Sequence, residues 1–269
     1  MFKQINTLLA AAGSEKSIVK HINSEKELFD IIRVNYFEAF NKSKENNTIF
    51  RGAKNYTEDC IAVEITPGKR LSQNTPNIYT KLLSDVFPSW SKFPKRNRSI
   101  IASFNPNLAK FYGEILYIVL PKNGSQIAIC PKNDIWVSFK EYSSFTDLSQ
   151  FNTEFVRTVS SVLGISINDI KQAFSEDSND KVLNILTNLD KELLVLCENN
   201  KIHNNLINDY YKEWQKNNNL LYSEYLENIF FNNSKFKIQN ISDLKSNGIS
   251  EVWFENSSLL IPLESDFFT

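Results

Sequence analysis

The side chains able to do chemistry in this chain sit at the edges of short apolar runs. In "TIFRGAKN", Arg51 and Gly52 follow Ile49 and Phe50, so a cation is delivered where a strand ends. Ser99 and Ser103 bracket "SIIAS", a helix-like "NPNLAKFYG" follows the second serine, and Glu251 opens "EVWF". A cation, hydroxyls and a carboxylate are the means of anion binding and of charge stabilisation. Taken one at a time, each also fits a plain role: a turn with a solvated charge, a serine punctuating a strand, an exposed acid. Just upstream of the serine strand, "SKFPKRNRS" concentrates Lys92, Lys95, Arg96 and Arg98, with Trp90 and Phe93 interleaved. Such a mix holds a phosphate backbone and stacks a base, or it makes a solvated turn.

Other chemistries lack their residues. His21 and His203 are the only two histidines, and neither has a carboxylate or cysteine at ligand spacing, which weighs against a Ser-His-Asp hydrolase, a Cys-His protease and a zinc enzyme. Cys60, Cys130 and Cys197 are odd in number and far apart, so neither a disulfide framework nor a metal cluster is expected. Glycine-rich phosphate loops are missing from the sequence. The net charge of -1 supplies no global field toward nucleic acid or anionic membrane, so any such binding must come from a local patch. No apolar stretch reaches the length of a membrane span, and the chain reads as soluble and cytoplasmic.

These residues need elements to hold them. Residues 1 to 12 and 25 to 43 read as helices; in the second, Leu28, Ile31, Ile32, Tyr36 and Phe40 recur at helical spacing, with Ser24 as cap and Glu27 three residues on. The period then changes. "NTIFRG", "CIAVEIT", "RSIIASF", "EILYIVLP", "SQIAICP" and "IWVSF" are short, β-branched or aromatic runs broken by Pro, Gly, Asn and Lys, and read as strands. From about 144 to 231 the pattern is helical again, and "FKIQNI", "SEVWFEN" and "SLLIPL" end the chain as strands. The order predicts an α+β fold with N-terminal helices (1–45), a β-rich core (46–143 and 235–269) and a helical insert (144–234).

The ordered set of Phe50-Arg51-Gly52, a serine strand followed by "AKFYG", and a late Glu251 heading an apolar strand resembles the R-S-E pattern of mono-ADP-ribosyltransferases. The stretch from 70 to 139 is further similar to ADP-ribosyltransferase-like proteins of tailed phages and of the defence islands that oppose them. The resemblance covers about 48 to 140 and 249 to 263. It implies a split β-sandwich core forming a single ADP-ribosyltransferase-like domain, with NAD as a substrate held between two small sheets and no metal.

By that resemblance Arg51 clamps the dinucleotide, because an arginine fork matches phosphate or ribose oxygens, and Gly52 gives the backbone room beside the ligand. Ser99 or Ser103 braces the nicotinamide side; the family's Ser-Thr-Ser aligns with Ala102-Ser103-Phe104, departing at its first and third positions, whereas the phage-like set shares Ser99. Glu251 stands by the ribose and stabilises the oxocarbenium-like transition state, as carboxylates do in glycoside cleavage, with Glu255 as runner-up. Tyr79, Phe104 and Tyr112 are candidate aromatic walls. Lys95, Arg96 and Arg98 are candidates for holding the acceptor. Arginine-modifying members carry Glu or Gln two residues before the catalytic Glu, where this chain has Ile249; the departure makes arginine a less fitting acceptor. The expected activity is ADP-ribosyl transfer to a macromolecule, nucleic acid slightly ahead of protein, by a toxin or effector in phage–bacterium conflict. A neutralising protein would dock on the helical insert. The competing expectations are a catalytically inactive binding or virion-structural module of the same fold, and an NAD glycohydrolase.

Overall fold

The computed structural model describes residues 18–22, 24–53, 60–64, 77–144, 147–175, 179–203 and 205–265. The helix expected over 1 to 12 lies outside the described residues. Two compact units form: one comprises Met1–Thr75, Lys92–Ile135 and Lys235–Thr269, the other Pro76–Ser91 and Trp136–Ser234.

The first unit holds all the described strands: β1 (Ile18–His21), β2 (Ile49–Ala53), β3 (Ile61–Glu64), β4 (Ile100–Ser103), β5 (Ile115–Pro121), β6 (Gln126–Ile129), β7 (Lys237–Asn240), β8 (Glu251–Phe254) and β9 (Ser258–Pro262). They pair antiparallel in the order β1-β3-β9-β5-β2-β4-β8-β6-β7. The two strands latest in sequence, β8 and β9, are therefore internal. β2 pairs with β5 along its whole length, from Ile49↔Val119 to Ala53↔Ile115, whereas its ladder with β4 is the single pair Phe50↔Ser103.

Glu25–Ile31 (α1), a π turn at Ile32–Tyr36 and Phe37–Lys44 (α2) run on as one helical segment over the expected range. Ser24 caps it, its Oγ accepting from the Glu27 amide at 3.2 Å. Leu28, Ile32, Tyr36 and Ala39 recur every three to four residues and join the strand side chains Ile49, Ile118, Val252 and Leu260 in one core. The helix is tied to the β5–β6 turn, where Asn123 Oδ1 accepts from the Glu38 amide and Glu38 accepts from the Gly124 amide.

The short helix α3 (Asn77–Lys81) belongs to the second unit, and α4 (Pro106–Lys110) to the first. Asn105 caps α4, accepting from the amides of Asn107 and Leu108. The end of α4 lies so close to β2 that a Cβ on Gly52 would stand 2.2 Å from the Ala109 carbonyl oxygen, and one on Gly113 would stand 1.9 Å from the carbonyl carbon of Ala53. Glycine is required at both positions by contact with backbone.

The stretch "IWVSF", expected as a strand, is instead the start of helix α5 (Ile135–Tyr142). Ile135 and Phe139, four residues apart, are both fully buried while Val137 is exposed, which is the helical period and not alternation. The helices α6 (Leu148–Leu163), α7 (Ile167–Ser175), α8 (Asn179–Glu198), α9 (Asn205–Asn217) and α10 (Tyr222–Ile229) complete the second unit. Its core is aromatic. Tyr79, Phe139, Phe151 and Phe231 meet at ring-centroid distances of 5.3 to 6.2 Å, and Tyr210, Tyr222 and Tyr225 form a second group. Asp190, buried on α8, accepts from the Ser223 amide and hydroxyl at 2.9 and 2.7 Å, satisfying the start of α10.

Candidate functional site

Antiparallel pairing puts Phe50, Ser103 and Glu251 in one row across β2, β4 and β8, side chains on one face. Cys130, directly after β6, extends that row: its amide donates to the Glu251 carbonyl at 2.9 Å and its Sγ lies 3.8 Å from Glu251 Oε1. The Glu251 amide in turn donates to the Lys132 carbonyl. Ser103 Oγ donates to the Ser250 carbonyl at 3.3 Å and accepts from the Asn105 amide at 3.0 Å. The hydroxyl thus fixes the way into α4 while standing beside the acid.

The basic run supplies the cation next to Glu251. Arg96 begins a 3-10 turn, Arg96–Arg98, and its Nη1 lies 2.7 Å from Glu251 Oε1, the two side chains being 12% and 6% exposed. The guanidinium carbon stands 5.3 Å from the ring centre of Trp253, which shares the face of Glu251 two residues along β8. Burial alone lowers the pKa of Arg96, yet the charge of Glu251, with Cys130 and Asp134, outweighs it and the net shift is upward. Removing either partner alone leaves a buried, uncompensated charge, at a cost of about 3–5 kcal/mol.

Glu255, the runner-up acid, is occupied by the same turn: it accepts from the Lys95 amide at 2.5 Å and from Arg98 Nε at 2.7 Å. Trp253 Nε1 donates to the Pro94 carbonyl at 2.7 Å. The stretch from Pro94 to Ser99 is therefore clasped onto β8. Of the residues expected to hold an acceptor, Arg96 and Arg98 are paired with Glu251 and Glu255, and the Lys95 amide is held by Glu255.

Arg51 stands apart from Glu251. Alternation along β2 sends its side chain to the face opposite Phe50, and β4 lies between the two strands. Its Nη1 donates to the Ile101 carbonyl at 2.5 Å, crossing the seam where the β2–β4 ladder stops after one pair. Gly52 leaves room, but α4 fills it, so the space is not a ligand's. Of the two candidate serines, Ser103 is the one aligned with Glu251; Ser99, buried, donates to the Lys95 carbonyl at 2.8 Å and closes the basic turn.

The aromatic candidates divide. Tyr79 belongs to the helical unit, fully buried, its hydroxyl donating to the Leu148 carbonyl at 2.6 Å. It is core, and burial with the nearby Asp147 raises its pKa strongly. Phe104 is core of the sheet unit. Tyr112 is exposed in the turn after α4, beside a more exposed Phe111. Ile249, at the place where an acceptor-binding acid would stand, is exposed in a turn whose Asn247 side chain accepts from the amides of Ile249 and Ser250.

Sequence reasoning missed the pairing of Arg96 with Glu251. Its only trace in the sequence is a basic run and an acidic strand opening, 155 residues apart by the numbering. No group of three or more His, Cys, Asp or Glu among the described residues is arranged to hold a metal, and no described helix is long and apolar enough to cross a membrane. The chain matches no family model, no curated protein and no solved structure.

Proposed function

We propose that this chain is an NAD-dependent ADP-ribosyltransferase that carries ADP-ribose to a macromolecular acceptor, with Glu251 as the acid at the ribose. The observation that carries the reading is the pairing of Ser103 with Glu251 across β4 and β8. Ser103 and Glu251, far apart in sequence, stand opposite each other on β4 and β8, while Arg51 lies on the neighbouring strand β2 with its side chain on the other face. The mixed α+β architecture with its antiparallel sheet is compatible with that reading.

In this mechanism the bond from nicotinamide to ribose breaks as an oxocarbenium-like centre develops, and the buried carboxylate of Glu251 stabilises it. Water exclusion strengthens that interaction, and Glu251 is only 5% exposed. Ser103 braces the strand end beside it. Arg51, on the opposite face and bonded to the Ile101 carbonyl, holds the β2–β4 seam. The exposed Ile249 offers no acid to an incoming arginine, which supports an acceptor of another type, nucleic acid before protein.

The test is incubation of the purified chain with NAD labelled in the adenylate, followed by separation of host RNA, DNA and protein. Label is expected in one macromolecular fraction and is lost in Glu251→Gln. Absence of label from all fractions, together with nicotinamide release equal in the wild type and the Gln variant, overturns the reading. A second reading, a binding module of the same fold without catalysis, draws on the ion pair that already occupies Glu251; under it NAD binds and no nicotinamide leaves. An NAD glycohydrolase would consume NAD and label nothing.

A further inference from the structure

We propose that Arg96 is the positioning residue of this site, holding Glu251 ionised and aimed; the inference rests on the transferase reading of Glu251. A carboxylate withdrawn from water takes up a proton unless a cation or donors hold it charged, and a protonated Glu251 would not stabilise an oxocarbenium. The described contacts of the Glu251 carboxylate include a cation and a thiol. Arg96 lies 2.7 Å from Oε1, the Cys130 thiol lies 3.8 Å from the same oxygen, and Asp134 acts on Arg96. The Lys132 carbonyl accepts from the Glu251 amide. Arg96 is the cation paired with Glu251 among the described contacts.

Its own placement is over-determined. The guanidinium stacks on Trp253, the turn before it is fixed by the bond from Trp253 Nε1 to Pro94, and the turn after it by Arg98 on Glu255. Ser99 closes the turn onto the Lys95 carbonyl. This is the arrangement by which a rigid surround sets the angle of a working carboxylate. It also gives Ser99, Glu255 and Trp253 a common purpose, since each holds the arginine and none needs to touch NAD.

The experiment follows nicotinamide release against pH for wild type, Arg96→Met and Arg96→Lys. Alongside it, NMR titration follows the carboxyl carbon of Glu251. In Arg96→Met, kcat at neutral pH is expected to fall tenfold or more with KM for NAD little changed, and the acid limb of the profile to move to higher pH. Arg96→Lys, which keeps the charge and loses the fork, is expected to retain the wild-type acid limb with a smaller loss of kcat. An unchanged kcat and acid limb in Arg96→Met overturns the proposal, and so does a rise in turnover, which would make Arg96 a cover over Glu251. If Arg96→Met does not fold, Arg96→Lys decides by its kcat: a loss supports the proposal and an unchanged value overturns it. A wild type that releases no nicotinamide overturns the transferase reading alone. The carboxyl titration then decides for Arg96: a midpoint moved to higher pH in the Met variant supports it, and an unmoved one overturns it.

Discussion

Replacing Gly52 by alanine puts a methyl group into backbone. The new Cβ would stand 2.2 Å from the Ala109 carbonyl oxygen and 2.8 and 2.9 Å from the oxygen and nitrogen of Gly113. Ordinary contact needs about 3.4 Å or more, so the end of α4 must retreat by about 1 Å, and a helix end cannot rotate away as a side chain does. Overpacking of this kind costs about 3 kcal/mol. At about 2–4 °C per kcal/mol for a chain of this size, the first thermal transition should fall by about 6–12 °C. The assay is circular dichroism melting without ligand, with Gly113→Ala beside it. Because the two glycines meet at one crossing, their effects should not add in the double variant. A Gly52→Ala protein that melts within about 2 °C of wild type yet loses NAD binding would refute the packing argument and restore the ligand-facing role for Gly52.

Tyr79→Phe removes the bond to the Leu148 carbonyl and should cost about 1 kcal/mol of stability while leaving nicotinamide release unchanged; a drop in release without a drop in stability would return Tyr79 to the site. Burial raises the pKa of Asp190 above the usual carboxylate value despite its bonds from Ser223. The native state then binds the proton more tightly than the unfolded chain, so this group's contribution declines as pH rises from about 4 upward. Relative to Asp190→Asn, wild type should lose ground over that window in urea midpoints, and a difference flat with pH refutes the assignment. Burial pushes the Cys197 thiol up to about 11, whereas Cys60 is half-buried. Mass-mapped alkylation at about pH 8 should therefore modify Cys60 well before Cys197.

Strand existence was legible where short β-branched and aromatic runs lie between breakers, as in "EILYIVLP", and the first helix was legible from Leu28, Ile32 and Tyr36 with their Ser24 cap. "IWVSF" misled because five apolar or small residues satisfy either period. The helical signal was the spacing of Ile135 and Phe139, with Asp134 as a cap type just before them. β1 carries too little apolar pattern around Lys20 and His21 to stand out. Partner choice was the deeper gap. Nothing local tells β2 to lie between β4 and β5, or Arg96 to find Glu251, because such pairings depend on which surfaces remain to be covered once the rest has folded. Tyr79 shows the same limit on a single side chain: an aromatic ring reads identically whether it walls a ligand or fills a core.

The interior placement of β8 and β9 has a consequence for biosynthesis. Without these strands the sheet reduces to the pairs β1–β3 and β6–β7 and the triple β5–β2–β4, so a nascent chain that has not yet emerged past Glu251 holds three unjoined pieces. Such late, long-range closure is slow relative to local helix formation. Under the proposed function, no acid stands beside Ser103 until β8 has joined β4, so a chain still short of Glu251 is harmless to the cell that makes it.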